Sequence, residues 1–448
     1  MDDAKSSGED NEMPSVRLLQ ISAEEYYTAR ASESEIKALA ARVVDAVVDA
    51  LIRPLTPEEE GPDPVVEKEE REKTVKVTGK GYRDASEVVN ELFLDRKWAD
   101  GLTIVPPTEE AVEWMLTGTS RSPDEVIGGP VAMKGGIATV EKIAINSVMA
   151  GAKPDYLPVI IAAMEILADE SYFLNHLQAS TGAVTPAIFV NGPIAKELGF
   201  NSGIGYLGHG WRANNTIGRA IRLCLINLGH VFPQLNDMAL TGRPAAFGTF
   251  TFAENEDMSP WEPYHVEQGF SPQDSTVSVV STMFWQRGPG GAVFASTANE
   301  QLMAIADMIA NITLPELIGV LQCGQTFLLG MAPALARELA KRGMSKDDVR
   351  RWLYEQARIP YSKLTARDLK RLKTEVENGK LPPNYWVEGG YRDKEPSIPA
   401  VMGPERILIV VAGGDPAFTV LWEYPEGFEA AHGTRKITGA TLTTGGRE

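Results

Sequence analysis

The stretch AIFVNGPIAKELG, residues 187–199, decides the fold. Its apolar opening reads as a strand, Asn191-Gly192 as a tight turn, and the rest as a helix that starts at Pro193 and stops at Gly199. Proline is pre-organised for the first helical position and glycine for the stop. A strand feeding a helix is half of a βα unit, the signature of an α/β architecture. Outward from it, strands are expected at residues 275–281, 292–296, 326–330 and 406–413. The last is almost continuously apolar, as a strand covered on both faces should be. Residues 139–150 and 156–168 read as strongly apolar helices lying against a sheet, and further helices at 299–312, 332–342 and 346–357 separate the later strands. The fold expected is α/β: a mostly parallel sheet flanked by helices, with no internal repeat evident.

The N-terminal part reads differently. Residues 1–13 are polar and compatible with a disordered start. Residues 33–52 form an amphipathic helix with Ile36, Leu39, Ala40, Val43, Val47 and Leu51 on one stripe, ended by Pro54: a helical N-terminal arm. TPEEEGPDPVVEKEEREK, residues 56–73, is a solvated acidic linker, and TVKVTG, residues 74–79, alternates like a short strand. The division expected is 1–73 and a main body 74–448, with lobes 74–200 and 201–448. Within the body, Thr108 is placed to cap a helix carrying Glu109 and Glu110 in its first turn. Ser122, Pro123 and Glu125 have the spacing of a capping box.

Bulk charge excludes some functions. With 43 Lys and Arg against 61 Asp and Glu, the net charge is −18, the wrong sign for phosphate-backbone or anionic-membrane binding. Two cysteines, Cys224 and Cys323, exclude a disulfide framework and a four-cysteine zinc site. The acidic start MDDAKSSGED is no signal peptide, and no apolar run of membrane-spanning length follows, so a cytoplasmic protein is the default.

The chemistry concentrates in GHGWRANNTIGRAIRL, residues 208–223, and FAENEDMSPWEPYHVEQGF, residues 252–270. Asn214, Asn215 or Thr216 is expected to cap a helix running through Leu228, its N-terminus behind a glycine-bearing loop. Free N–H donors there suit a carboxylate or phosphate, with Arg212 and Arg219 adding charge and His209 and Trp261 lining the same site. The competing reading pairs both arginines with the acidic segment. Glu254, Glu256 and His265 supply groups for general acid–base catalysis. His176, His209, Glu254 and His265 also offer ligands for one divalent transition metal, although no HxH or HExxH spacing is present. Cys323 is a candidate nucleophile between a helix and a strand, whereas Cys224 falls in the core. Gly413 and Gly414 follow the apolar strand, at the end where α/β proteins bind ligands.

The segments ADGLTIVPPTEEAVEWML, VEKIAINSVMAGAKPDYLPVI, GWRANNTIGRAIRL, AENEDMSPWEPYHVEQGF and RILIVVAGG resemble a bacterial family. It is similar to, or associated with, the proteins named for a Sec/Cys-Gly-Ser-Cys motif. The resemblance spans most of residues 98–414 and implies an intracellular, enzyme-like protein tied to thiol or selenol redox chemistry. This chain has neither Cys-Gly-Ser-Cys nor any CxxC.

The expectation is a homo-oligomeric enzyme acting on a small anionic organic molecule by acid–base or metal-assisted lyase or hydrolase chemistry. The alternatives are a redox accessory subunit for a separate thiol or selenol protein, and a non-catalytic binding or scaffold protein.

Overall fold

The computed structural model describes residues 19, 33–54, 56, 74–233, 235–243, 250–282, 284–288, 297–313, 325–379, 387–391, 395–415, 420–425 and 432–441. The chain divides into two units, Met1–Thr78 and Gly79–Glu448. In the first, helix α1 spans Glu33–Ile52, the residues its periodicity predicts. Residues 1–13 and 57–73 lie outside the described residues, and 75–79 carry no strand.

The second unit holds α2 (Tyr82–Asp95), α3 (Glu109–Leu116), α4 (Val140–Met149), α5 (Leu157–Leu167), α6 (Leu174–Ala179), α7 (Ile194–Glu197), α8 (Arg212–Asn227) and α9 (Tyr264–Glu267). It continues with α10 (Ala298–Ile312), α11 (Pro333–Lys341), α12 (Lys346–Gln356) and α13 (Ala366–Glu377). Its strands are β1 (Thr185–Asn191), β2 (Phe250–Ala253), β3 (Thr276–Thr282), β4 (Phe284–Arg287), β5 (Gln325–Met331) and β6 (Arg358–Pro360). They end with β7 (Val387–Tyr391), β8 (Glu395–Pro399), β9 (Ile407–Val411), β10 (Val420–Pro425) and β11 (His432–Lys436). The strand expected at 292–296 lies outside the described residues. The Ser122 segment closes only a turn, Glu125 N–H to Ser122 O at 3.1 Å. Thr108 does cap α3, accepting from Ala111 N.

Among the described residues three sheets form, with strand orders β11-β3-β1-β2, β4-β10-β5-β9 and β6-β8-β7. The α/β class stands, but the sheets are not mostly parallel. Among the named strands only β1/β2 and β5/β9 run parallel, and every other pairing is antiparallel. An apolar run tells how a strand is covered, not which way its neighbour points, so the sequence carried no information on direction.

The two larger sheets have one topology. In the first, β1 pairs parallel with β2 and antiparallel with β3, and β11 pairs antiparallel with β3. In the second, β5 pairs parallel with β9 and antiparallel with β10, and β4 pairs antiparallel with β10. Thus β1-β2-β3-β4 and β5-β9-β10-β11 are equivalent series, and each sends its fourth strand to the other's sheet. The two larger sheets thus repeat one strand topology and exchange edge strands, a likeness the sequence reading did not anticipate. A faint trace survives in sequence: FVNGPIAKEL, residues 189–198, against LGMAPALAREL, residues 329–339. The expected lobes 74–200 and 201–448 do not separate, because β1 pairs with β2 and β3 across that boundary.

Alternation along the strands builds the layers. Ala187 and Phe189 of β1 face Leu328, Leu408 and Val410 of the second sheet in a central cluster. Ile188 and Val190 face the opposite way, into a layer with α4, α5 and α8. On the far side, Phe327, Leu329, Ile407 and Ile409 pack with α10, α11 and α12. The order is helices, sheet, sheet, helices. Phe189, Phe252, Tyr206 and Tyr264 lock the centre, with ring centroids 5.1 to 5.7 Å apart. Each such fully buried ring stabilises by roughly 1.5–3 kcal/mol.

Candidate functional site

The parallel pairs β1/β2 and β5/β9 end side by side, and the segment after β2 connects them. Asn255 N–H donates to Val411 O at 2.8 Å, and its side-chain amide donates to Gly413 O at 2.9 Å. Gly413 N–H donates to Ser202 O at 2.8 Å, and a Cβ on Gly414 would fall 2.4 Å from Ile204. Strand ends remote in sequence therefore meet the 201–208 loop here.

Glu254 is the most enclosed carboxylate of this junction, with a side chain 0% exposed. Oε2 accepts from Asn191 Nδ2 at 2.7 Å and from Tyr264 N–H at 2.8 Å, and Oε1 from Val411 N–H at 3.3 Å. The buried Lys346 ammonium lies 3.7 Å from Oε1 and 2.9 Å from Glu267 Oε1, without hydrogen-bond alignment to either. Lys346 opens α12, where a helix dipole disfavours a cation, and the two carboxylates offset that cost. Arg350 closes the network with Glu267 Oε2 at 2.7 Å and Asp347 at 2.7 Å. With three hydrogen bonds from β1, α9 and β9, Glu254 is a clamp between the two sheets.

Glu256 differs. Its side chain is 26% exposed, and Oε1 accepts from Asn191 Nδ2 at 2.9 Å and Gly192 N–H at 2.7 Å. Gly192 is required there: φ is +84°, and a Cβ would sit 2.2 Å from Asp274 O. His265 Nδ1 stands 3.8 Å from Glu256 Oε1. The imidazole is completely buried and neither ring nitrogen has a hydrogen-bond partner. Asn191 Oδ1 and Thr276 Oγ1, on register-paired residues of β1 and β3, are also buried without partners. Such orphans cost about 1–3 kcal/mol each, so their concentration at one junction calls for an explanation. Trp261 anchors the intervening loop, donating from Nε1 to Met344 O at 2.9 Å.

The other expected residues lie elsewhere. Helix α8 starts at Arg212 behind Trp211, without a side-chain cap. Arg212 donates to Gly151 O at 2.8 and 3.0 Å, closing the end of α4. Arg219 pairs twice with Asp100, at 2.8 and 3.0 Å, and reaches Thr103 O. Arg212 is thus held by backbone carbonyls and Arg219 by Asp100, and among the described residues neither pairs with the acidic segment. Asn214 is buried and holds Asn201 and Tyr206 O, whereas Asn215 donates to Trp211 O. His209 is exposed on its loop, and His176 is exposed beside Asn175. His176, His209, Glu254 and His265 do not gather, and among the described residues no group of three His, Cys, Asp or Glu is arranged to hold a metal. Cys323 lies outside the described residues. Cys224 is buried, and burial pushes its thiol pKa well above the usual range.

Asn191 and Lys346 were not singled out by sequence. Asn191 closes the strand of the opening motif, where a polar side chain ending an apolar run was a usable signal. Lys346 reads as an ordinary helix-start residue. No family model and no curated protein matches this chain. No described helix is long and apolar enough to cross a membrane.

Proposed function

We propose that this protein is an enzyme of lyase or hydrolase type that moves a proton on a small organic molecule, with Glu256 as the exchanging group. The observation that supports it is the pairing of a partly exposed, positioned carboxylate with a buried, unpartnered imidazole. Asn191 and the Gly192 amide fix Oε1, which leaves Oε2 as the oxygen to exchange the proton. His265 faces Oε1 from behind and supplies a second titratable group at the same carboxylate, a relation suited to cycling between proton acceptor and donor. Glu254 holds Asn191 and the α9 start in place, and Lys346 lies between Glu254 and Glu267.

The test is turnover in a fractionated small-molecule extract, followed by mass spectrometry, for the native chain and Glu256→Gln. A mass feature consumed by the native chain and spared by the variant supports the reading. If no feature distinguishes them, acid–base catalysis at Glu256 is wrong and the non-catalytic reading takes its place. The proposal includes a homo-oligomer, because Val44, Val47, Val48, Leu51 and Ile52 of α1 are exposed. Light scattering on the native chain and on Leu51→Glu checks it; equal monomer masses would remove it.

A further inference from the structure

At the opposite end of β1 from Glu256, six residues or roughly 20 Å away along the strand, Arg222 presents an anomaly. It lies on the inner side of α8, 6% exposed. Its Nη2 donates to Thr185 Oγ1 at 3.0 Å, and its Nε is buried with no partner at all. Beside it, Arg243 is fully engaged. Arg243 takes both oxygens of Asp237, at 2.8 and 3.0 Å, and donates to Val184 O at 2.8 Å, Leu177 O at 3.0 Å and Gln178 O. Among the described residues, Asp237 is the carboxylate near enough to act on Arg222, and both its oxygens are already bonded to Arg243. Burial, and then the charge of Arg243, push Arg222 down to about 10, still protonated at neutral pH.

Two guanidiniums thus share one carboxylate inside the protein. Buried charges are normally paired, because the desolvation cost is otherwise uncompensated. A guanidinium edge offers coplanar donors matched to two oxygens of one anion. The Thr185 hydroxyl spends a lone pair on Arg222 and keeps its proton to donate.

We propose that Arg222, with Thr185 and the charge of Arg243 behind it, forms a buried site for one small oxyanion, a carboxylate or phosphate group. The site is separate from Glu256, so it stands or falls independently of the proposed reaction.

The experiment is thermal unfolding of the full chain at fixed ionic strength, with chloride replaced stepwise by inorganic phosphate, sulfate or acetate. The expected result is a saturable rise in Tm with at least one of them, phosphate against acetate deciding which group the site takes. Arg222→Met removes the buried cation; it should be no less stable than the native chain in chloride, and its Tm should ignore the oxyanion. A native chain indifferent to all three anions overturns the proposal, and so does an equal rise in Arg222→Met. Should Arg222→Met fail to fold, Arg222→Lys decides. It keeps the charge but loses the two-pronged edge, so half-saturation should need about tenfold more anion; an unchanged midpoint refutes the site.

Discussion

Replacing Glu254 by glutamine is nearly isosteric, yet the structure makes it costly. Oε2 accepts from two donors, Asn191 Nδ2 and Tyr264 N–H, while Oε1 accepts from Val411 N–H. A glutamine has one acceptor oxygen. If that oxygen takes the Oε2 position, the new NH2 group confronts Val411 N–H and the Lys346 ammonium, donor against donor. Lys346, 4% exposed, is then left with Glu267 alone. Two charge-assisted bonds become neutral ones and a third is lost, and breaking a buried ion pair costs about 3–5 kcal/mol. We expect Glu254→Gln to destabilise by about 3–4 kcal/mol, read as a lowered urea midpoint with unchanged m-value. Lys346→Met in the same background should recover part of the loss, since it removes the stranded cation. A loss below about 1 kcal/mol in Glu254→Gln, the size of an ordinary neutral hydrogen bond, would refute the clamp.

Other outcomes follow from neighbouring geometry. Glu256→Gln keeps an acceptor oxygen for Asn191 and Gly192, so stability should move by less than about 1 kcal/mol while turnover is lost; chemical denaturation and activity on one preparation separate the two. Gly192→Ala must adopt φ +84° and intrude on Asp274 O, and should cost about 3 kcal/mol in a denaturation midpoint. Burial, and then Arg406, hold His432 below its ordinary value of 6.5. Its neutral form is the one folding favours, so its contribution is complete above pH 6.5 and declines as pH falls through the lowered pKa. A His432→Gln variant should flatten that part of the stability–pH curve. In a Cys323→Ser background, Cys224 should resist a thiol reagent until the chain unfolds, because it is buried and its thiolate is disfavoured.

The sequence by itself determined the local units. Residues 33–52, 140–149 and 157–167 are helices because their apolar spacing acts within a few turns, and the 187–199 motif is strand, turn and helix for the same local reason. It also marked the segment after β2 as unusual, because charged residues among prolines and aromatics have no purely local explanation. Tertiary structure alone decided the rest. Strand direction, the repeated topology and the exchange of β4 and β11 depend on pairings across as many as 160 residues, as in Thr276 to Lys436. The roles of the charged side chains were decided at the same level. Arg212, Arg219 and Arg222 are identical on one helix, yet the first two meet Gly151 and Asp100 and the third meets only Thr185. A side chain's partner is set by what packing brings beside it, and those partners lie 37 to 119 residues away in the chain.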